Sequence, residues 1–238
     1  SYAGTALSTC VDKGSDVTAS GGAEATLSFA ANKPSVAAEF LYPDVGLVSL
    51  RLRDAAGNIA RTGFASLPTS LRAAYTNSDG GVNPGKLAST DPAFAQVGEY
   101  FVVTISAHGT DGAALPNFGQ ESGTFTLGES LALRAHGESS LEQELLQAQG
   151  AWTASAGGTL SRSYAWHEAG LASLSPILSA YLGERDPASG GPLLIQGDKA
   201  AVGRFYPQYF GTEASEGFGC LPRMNCPPDL SRAGFSGQ

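Results

Sequence analysis

LYPDVGLVSL, residues Leu41 to Leu50, reads as a tight corner running into a strand, and a loose copy, AWHEAGLASL, stands 124 residues later at Ala165 to Leu174. Both copies run aromatic, any residue, acid, small residue, Gly, Leu, small residue, Ser, Leu. Gly46 and Gly170 can take a positive φ without steric cost. The acid two residues earlier, Asp44 or Glu168, is placed to hold the corner by accepting backbone N–H bonds. Beyond the corner the pattern alternates. Val48, Leu50 and Leu52 are expected to face inward, against Leu47, Ser49, Arg51 and Arg53, as in a half-buried strand. In the second copy the inward places fall to Ala172, Leu174, Pro176 and Leu178. A corner and strand repeated at domain-sized spacing predict an all-β chain of tandem β-sandwich modules.

The composition agrees with that class. Among 238 residues there are 31 Gly and 13 Pro, a turn-rich profile, with 42% hydrophobic residues to build cores. The net charge is −8, with only 14 Lys and Arg and no basic cluster. Nucleic acid is therefore not expected as a partner, because phosphate binding needs concentrated positive charge. No run of about 18 apolar residues exists, so no membrane-spanning helix is expected in this segment. The single Met is Met224 and no signal peptide is seen. The chain is expected to be a processed, exported product or a piece of a longer one. Cys220 and Cys226 would close a short Pro-flanked loop, CLPRMNC, and are expected to form a disulfide in an oxidising compartment. The alternative is a pair of reduced thiols in a tail. Cys10 is left without a partner.

In chain order, Ala25–Phe29 and Ser35–Tyr42 are expected strands, followed by the first corner, its strand, a turn at Asp54–Asn58 and a closing strand from Ile59 to Leu67. These make only half a sandwich, so residues 1–75 are expected to be a partial module. TNSDGGVNPG marks residues 76–92 as a linker. A second sandwich is expected over 93–210. Its strands would be Tyr100–Ala107, one within Phe125–Ala135, Thr159–Trp166, the strand after the second corner, Pro192–Ile195 and Ala201–Phe205. SSLEQELLQAQ, Ser139 to Gln149, is expected to be one short inserted helix behind a Ser cap. Residues 211–238 are expected to be a tail or the start of a further module.

The corner resembles the D-x-G step before strand F of immunoglobulin-like domains. Val48 and Ala172 stand where the corner tyrosine would be, and Leu50 and Leu174 where the framework cysteine would be, so the likeness is to bacterial modules that lack the inter-sheet disulfide. GRFYPQYF (Gly203 to Phe210), YFVVTISAHGTDGAALPNFG (Tyr100 to Gly119) and the two ordered corners are together similar to the mannose-sensitive haemagglutinin pilus biogenesis protein Q family. The likeness covers roughly residues 25 to 215. It implies a large surface or envelope protein of a Gram-negative bacterium, associated with type IV pili. It implies no catalytic residues.

The remaining constellations are weak. His108, His136 and His167 show no ligand spacing for zinc, and there is no nucleophile elbow. Asp12, Asp16, Asp44, Asp54, Asp79, Asp111 and Asp186 fall in or beside turns, where local backbone bonding explains them better than calcium. Trp152 and Trp166 are expected in the core. Arg204, Phe205, Tyr206, Tyr209 and Phe210 form either a binding surface or the packing at a module junction. The expected function is a non-enzymatic structural module of a cell-surface or pilus-associated protein, without cofactor or metal. Its partners would be proteins, including copies of itself or pilus components, and it would assemble by strand complementation. The alternative is an adhesin-type module that binds a glycan or host protein.

Overall fold

In the computed structural model the described residues are 42–53, 56–86, 90–120, 127–137, 143–155 and 157–208. Strands among them are β1 (Gly46–Arg53), β2 (Ile59–Ser66), β3 (Ser70–Thr76), β4 (Ala95–Gln96), β5 (Tyr100–His108), β6 (Leu131–Ala135), β7 (Leu146–Ser155), β8 (Thr159–Trp166), β9 (Gly170–Ser179), β10 (Leu194–Gln196) and β11 (Ala200–Tyr206). The chain divides into two units, Ser1–Pro207 and Gln208–Gln238. Only Gln208 of the second is described.

Strand β5 shows why the sequence adopts this fold. Phe101, Val103, Ile105 and Ala107 alternate with Val102, Thr104 and Ser106, and the first set is fully buried. With period 2 and one apolar face, β5 must sit in the middle of a sheet that covers a core. It lies between β3 and β8 in the antiparallel order β3-β5-β8-β7. The opposing sheet is built on β9. Strand β6 pairs along one edge of β9, while β10 and β11 share its other edge, and β4 lies parallel to the end of β11. Ala172, Leu174, Pro176 and Leu178 are buried, the inward set expected from the second corner. Phe205 of β11 meets Phe101 of β5 at 5.6 Å, Phe94 at 5.7 Å and Trp166 of β8 at 6.4 Å between ring centroids. These tilted and edge-on rings join the two sheets at one end of a single core.

Strands β1 and β2 form a separate two-stranded antiparallel ribbon, in register from Gly46↔Ser66 to Arg53↔Ile59.

Two expectations need correction. The helix expected over Ser139–Gln149 is not formed by its second half, since Leu146–Ser155 is strand β7. Leu146 is buried opposite Trp166, and Gln147 to Gln149 continue the ladder onto β8. Leu, Glu and Gln favour helix intrinsically, but pairing with a waiting strand edge and burial of Leu146 outweigh a few tenths of a kcal/mol per residue (roughly) of propensity. Helical structure among the described residues is limited to single turns such as Leu127–Ser130. The second correction moves the module boundary. Strand β3 lies before the expected linker, yet it pairs along its whole length with β5, Ser70↔His108 to Thr76↔Val102. Residues 67–69 connect β2 to β3, and 77–86 and 90–94 lie outside the named strands between β3 and β4. Asn residues tie the first of these stretches down. Asn77 Nδ2 donates to the Phe94 carbonyl at 2.8 Å, Asn83 Nδ2 donates to the Ala201 carbonyl at 2.9 Å, and Asn83 Oδ1 accepts from Gly203 N at 2.9 Å.

Candidate functional site

The ribbon β1–β2 and its root are the feature with the clearest potential for interaction. At the root, Asp44 and Val45 are buried. Asp44 Oδ1 accepts from Val45 N at 2.8 Å and from Asn117 N at 3.2 Å, while Ser66 Oγ donates to the Asp44 carbonyl at 2.6 Å. Asn117 Nδ2 also donates to Tyr42 Oη at 3.2 Å. Burial pushes the Asp44 carboxyl above its ordinary pKa, and the two N–H bonds pull against that shift. The acid bonds the backbone N–H of the next residue and also ties the ribbon to the loop after β5. That second contact spans 73 residues and leaves no local sequence signal.

Above the root the ribbon opens to solvent. Cross-strand pairing brings Val48 opposite Phe64, Leu50 opposite Thr62 and Leu52 opposite Ala60, so these side chains share one face. Val48 and Leu50 are half-buried, but Leu52 is 47% exposed and Phe64 40% exposed. The equivalent face of β9 is closed: Leu174 and Leu178 are fully buried. One corner-plus-strand thus has its opposing sheet, and the other has none among the described residues. The apolar face itself is legible in the alternation of Val48, Leu50 and Leu52. Phe64 joins it only through the hairpin register, which the sequence does not number.

Gly170 stands at the start of β9 with φ 112°, and Gly46 at the start of β1 with φ 135°. Glu168 differs from Asp44. It is exposed, and its carboxylate accepts no backbone bond among the described residues. In GRFYPQYF the packing alternative holds for Phe205, which is 1% exposed at the centre of the aromatic cluster. Arg204 donates to the Asp91 carbonyl at 3.1 Å, its peptide oxygen accepts from Phe94 N, and Tyr206 is exposed. Tyr209, Phe210, Cys10, Cys220 and Cys226 lie outside the described residues.

The histidines serve turns and strand ends. His108 Nδ1 donates to the Gly112 carbonyl at 2.9 Å, which leaves Nε2 to accept from Ser106 Oγ at 2.9 Å. His167 Nε2 pairs with Gln147 Oε1 at 3.0 Å. Asp111 and Asp186 accept backbone N–H bonds from Ala113 and Ala188, two residues on, which is turn chemistry. Among the described residues no three His, Cys, Asp or Glu side chains converge to hold a metal ion, and no helix is long and apolar enough to cross a membrane.

Comparison with protein-family models, curated proteins and solved structures gives no match to this chain.

Proposed function

We propose that this chain is a non-enzymatic structural segment of a bacterial surface protein built from tandem immunoglobulin-like modules, and that the ribbon β1–β2 is half of a module completed by further strands. The observation that carries the reading is the face of Val48, Leu50, Leu52 and Phe64, apolar yet open beside a closed sandwich. Strand order supports the immunoglobulin-like part. The order β3-β5-β8-β7 facing β6-β9-β11 corresponds to A-B-E-D facing C-F-G, with Glu168-Ala169-Gly170 at the E–F corner. In the same scheme β1 and β2 are strands F and G of the module before. The resemblance of GRFYPQYF and the two corners to the mannose-sensitive haemagglutinin biogenesis protein Q family supports a place on the surface or outer envelope of a Gram-negative bacterium, beside type IV pili.

A half-module of this kind associates by accepting strands or an apolar face from a neighbouring copy, and a head-to-tail contact of that type propagates into a filament unless it closes into a ring. Light scattering over a range of concentrations tests this. The intact chain is expected to associate, and Leu52→Glu with Phe64→Glu is expected to hold it at monomer mass without disturbing the β3–β11 sandwich. A monomeric intact chain, or association that survives both substitutions, would contradict the proposal.

A further inference from the structure

Alternation along β5 turns Thr104, Ser106 and His108 to the outer face of the four-stranded sheet, opposite buried Val103, Ile105 and Ala107. Ser106 and His108 are neighbours on that face, about 7 Å apart at the backbone. Their side chains close the gap, with Ser106 Oγ 2.9 Å from His108 Nε2. The turn after β5 fixes the ring from behind. Gly109 N donates to the Ala113 carbonyl at 2.9 Å and Leu115 N to the Ala107 carbonyl at 3.0 Å. The folded-back chain brings the Gly112 carbonyl to 2.9 Å from His108 Nδ1.

These two bonds decide where the protons sit. A carbonyl oxygen can only accept, so Nδ1 carries the ring hydrogen, Nε2 is left as a base, and the Ser106 hydroxyl donates to it. His108 is 8% exposed and held in place, whereas Ser106 is half-buried and reached by solvent. A hydroxyl bonded to a base that a third group orients is the arrangement that activates a nucleophile. A cation stands beside it. Arg72 of β3 is the cross-strand partner of Ser106, so its side chain leaves the same face about 5 Å away. A Cβ added to Gly112 would lie 3.6 Å from Arg72 Nη2, which places the guanidinium against the turn that holds His108.

We propose that Ser106 is an acylation site, a nucleophile that takes the acyl group of an activated aryl ester. Oγ attacks the ester carbonyl carbon while His108 Nε2 takes the hydroxyl proton. The Arg72 guanidinium steadies the carbonyl oxygen as it gains negative charge. The bond from that carbon to the aryl oxygen then breaks, the phenol leaves with the proton from His108, and the acyl group stays on Ser106. The group orienting His108 is a carbonyl rather than a carboxylate, so the imidazolium gains less support. The donor must therefore carry a good leaving group, which an aryl ester does. One acyl group per chain is a modification rather than turnover, and it is independent of how the ribbon assembles.

The test is reaction of the full chain with p-nitrophenyl acetate, followed by peptide mapping of the acetyl groups that hydroxylamine removes, which separates acetyl-serine from acetylated amines. Ser161, on the same face, bonds the Thr104 hydroxyl at 2.9 Å instead of an imidazole and is the internal control. Acetyl is expected at Ser106 and not at Ser161, and not at Ser106 of the chain unfolded in urea. His108→Gln is expected to slow labelling by about 100-fold. Arg72→Gln, at an exposed position where water weakens the charge and the fold is left intact, is expected to slow it by about tenfold. Absence of acetyl at Ser106, equal labelling of Ser161 or of the unfolded chain, or an unchanged rate in His108→Gln would overturn the proposal. An unchanged rate in Arg72→Gln would remove Arg72 from the site.

Discussion

Asp44 shows how one acid can serve a turn and a tertiary contact together. Replacing it with Ala removes the acceptor shared by Val45 N and Asn117 N, and about 1–3 kcal/mol of stability is expected to go with it. Asp44→Asn keeps an acceptor and is expected to cost less. The pH dependence has a definite sign. Burial raises the folded-state pKa of Asp44 above its unfolded value, so folding takes up the proton more readily and the contribution of this group improves as pH falls through the folded pKa. The stability margin of wild type over Asp44→Asn should therefore widen as pH falls toward the unfolded-state value, about 4, as read from denaturant midpoints. Phe205 and Tyr206 separate core from surface in the same motif. Phe205→Ala is expected to cost about 3–5 kcal/mol and Tyr206→Ala to fall within about 0.5 kcal/mol of wild type. Equal effects would remove the distinction drawn between these neighbours.

Strands were legible wherever one face is apolar and the other polar. Tyr100–Ala107, Thr159–Trp166 and the strand after Gly170 match β5, β8 and β9 because a one-residue slip would turn their whole apolar set outward. Strand β7 was not legible. Most of its length is exposed and its conformation comes from β8, a partner that no local pattern announces. The module boundary was misplaced for a related reason. Asn, Gly, Pro and Asp mark a turn equally well inside a sandwich or between two, and only the β3–β5 pairing tells which. Close approach of the sheets is also invisible locally. A Cβ on Gly197 would stand 2.4 Å from the Leu71 carbonyl oxygen of β3 and 2.6 Å from Pro176 Cγ. Gly197→Ala is thus expected to lower stability by about 1–3 kcal/mol. Gly191→Ala, whose Cβ would meet only the Ser189 hydroxyl at 3.4 Å, is expected to be nearly neutral. Similar melting midpoints for the two variants would contradict this account of the sheet contact.

At the scale of the whole molecule, a sandwich with a closed core stands beside a two-stranded ribbon with an open apolar face. The sandwich from β3 to β11 buries its apolar faces in one core, whereas the ribbon has its Asp44 root and its own ladder and leaves Leu52 and Phe64 exposed. Local stability should follow that division, because opening free energy tracks buried contacts and protected hydrogen bonds. Amide hydrogen exchange tests it most directly, measured on the dilute chain and again at concentrations where it associates. The account predicts fast exchange for β1 and β2 in the dilute chain against slow exchange for β5, β8 and β9, with protection of the ribbon rising on association. Ribbon amides as protected as those of β5 in a dilute monomer would contradict it, since the ribbon would then already be complete.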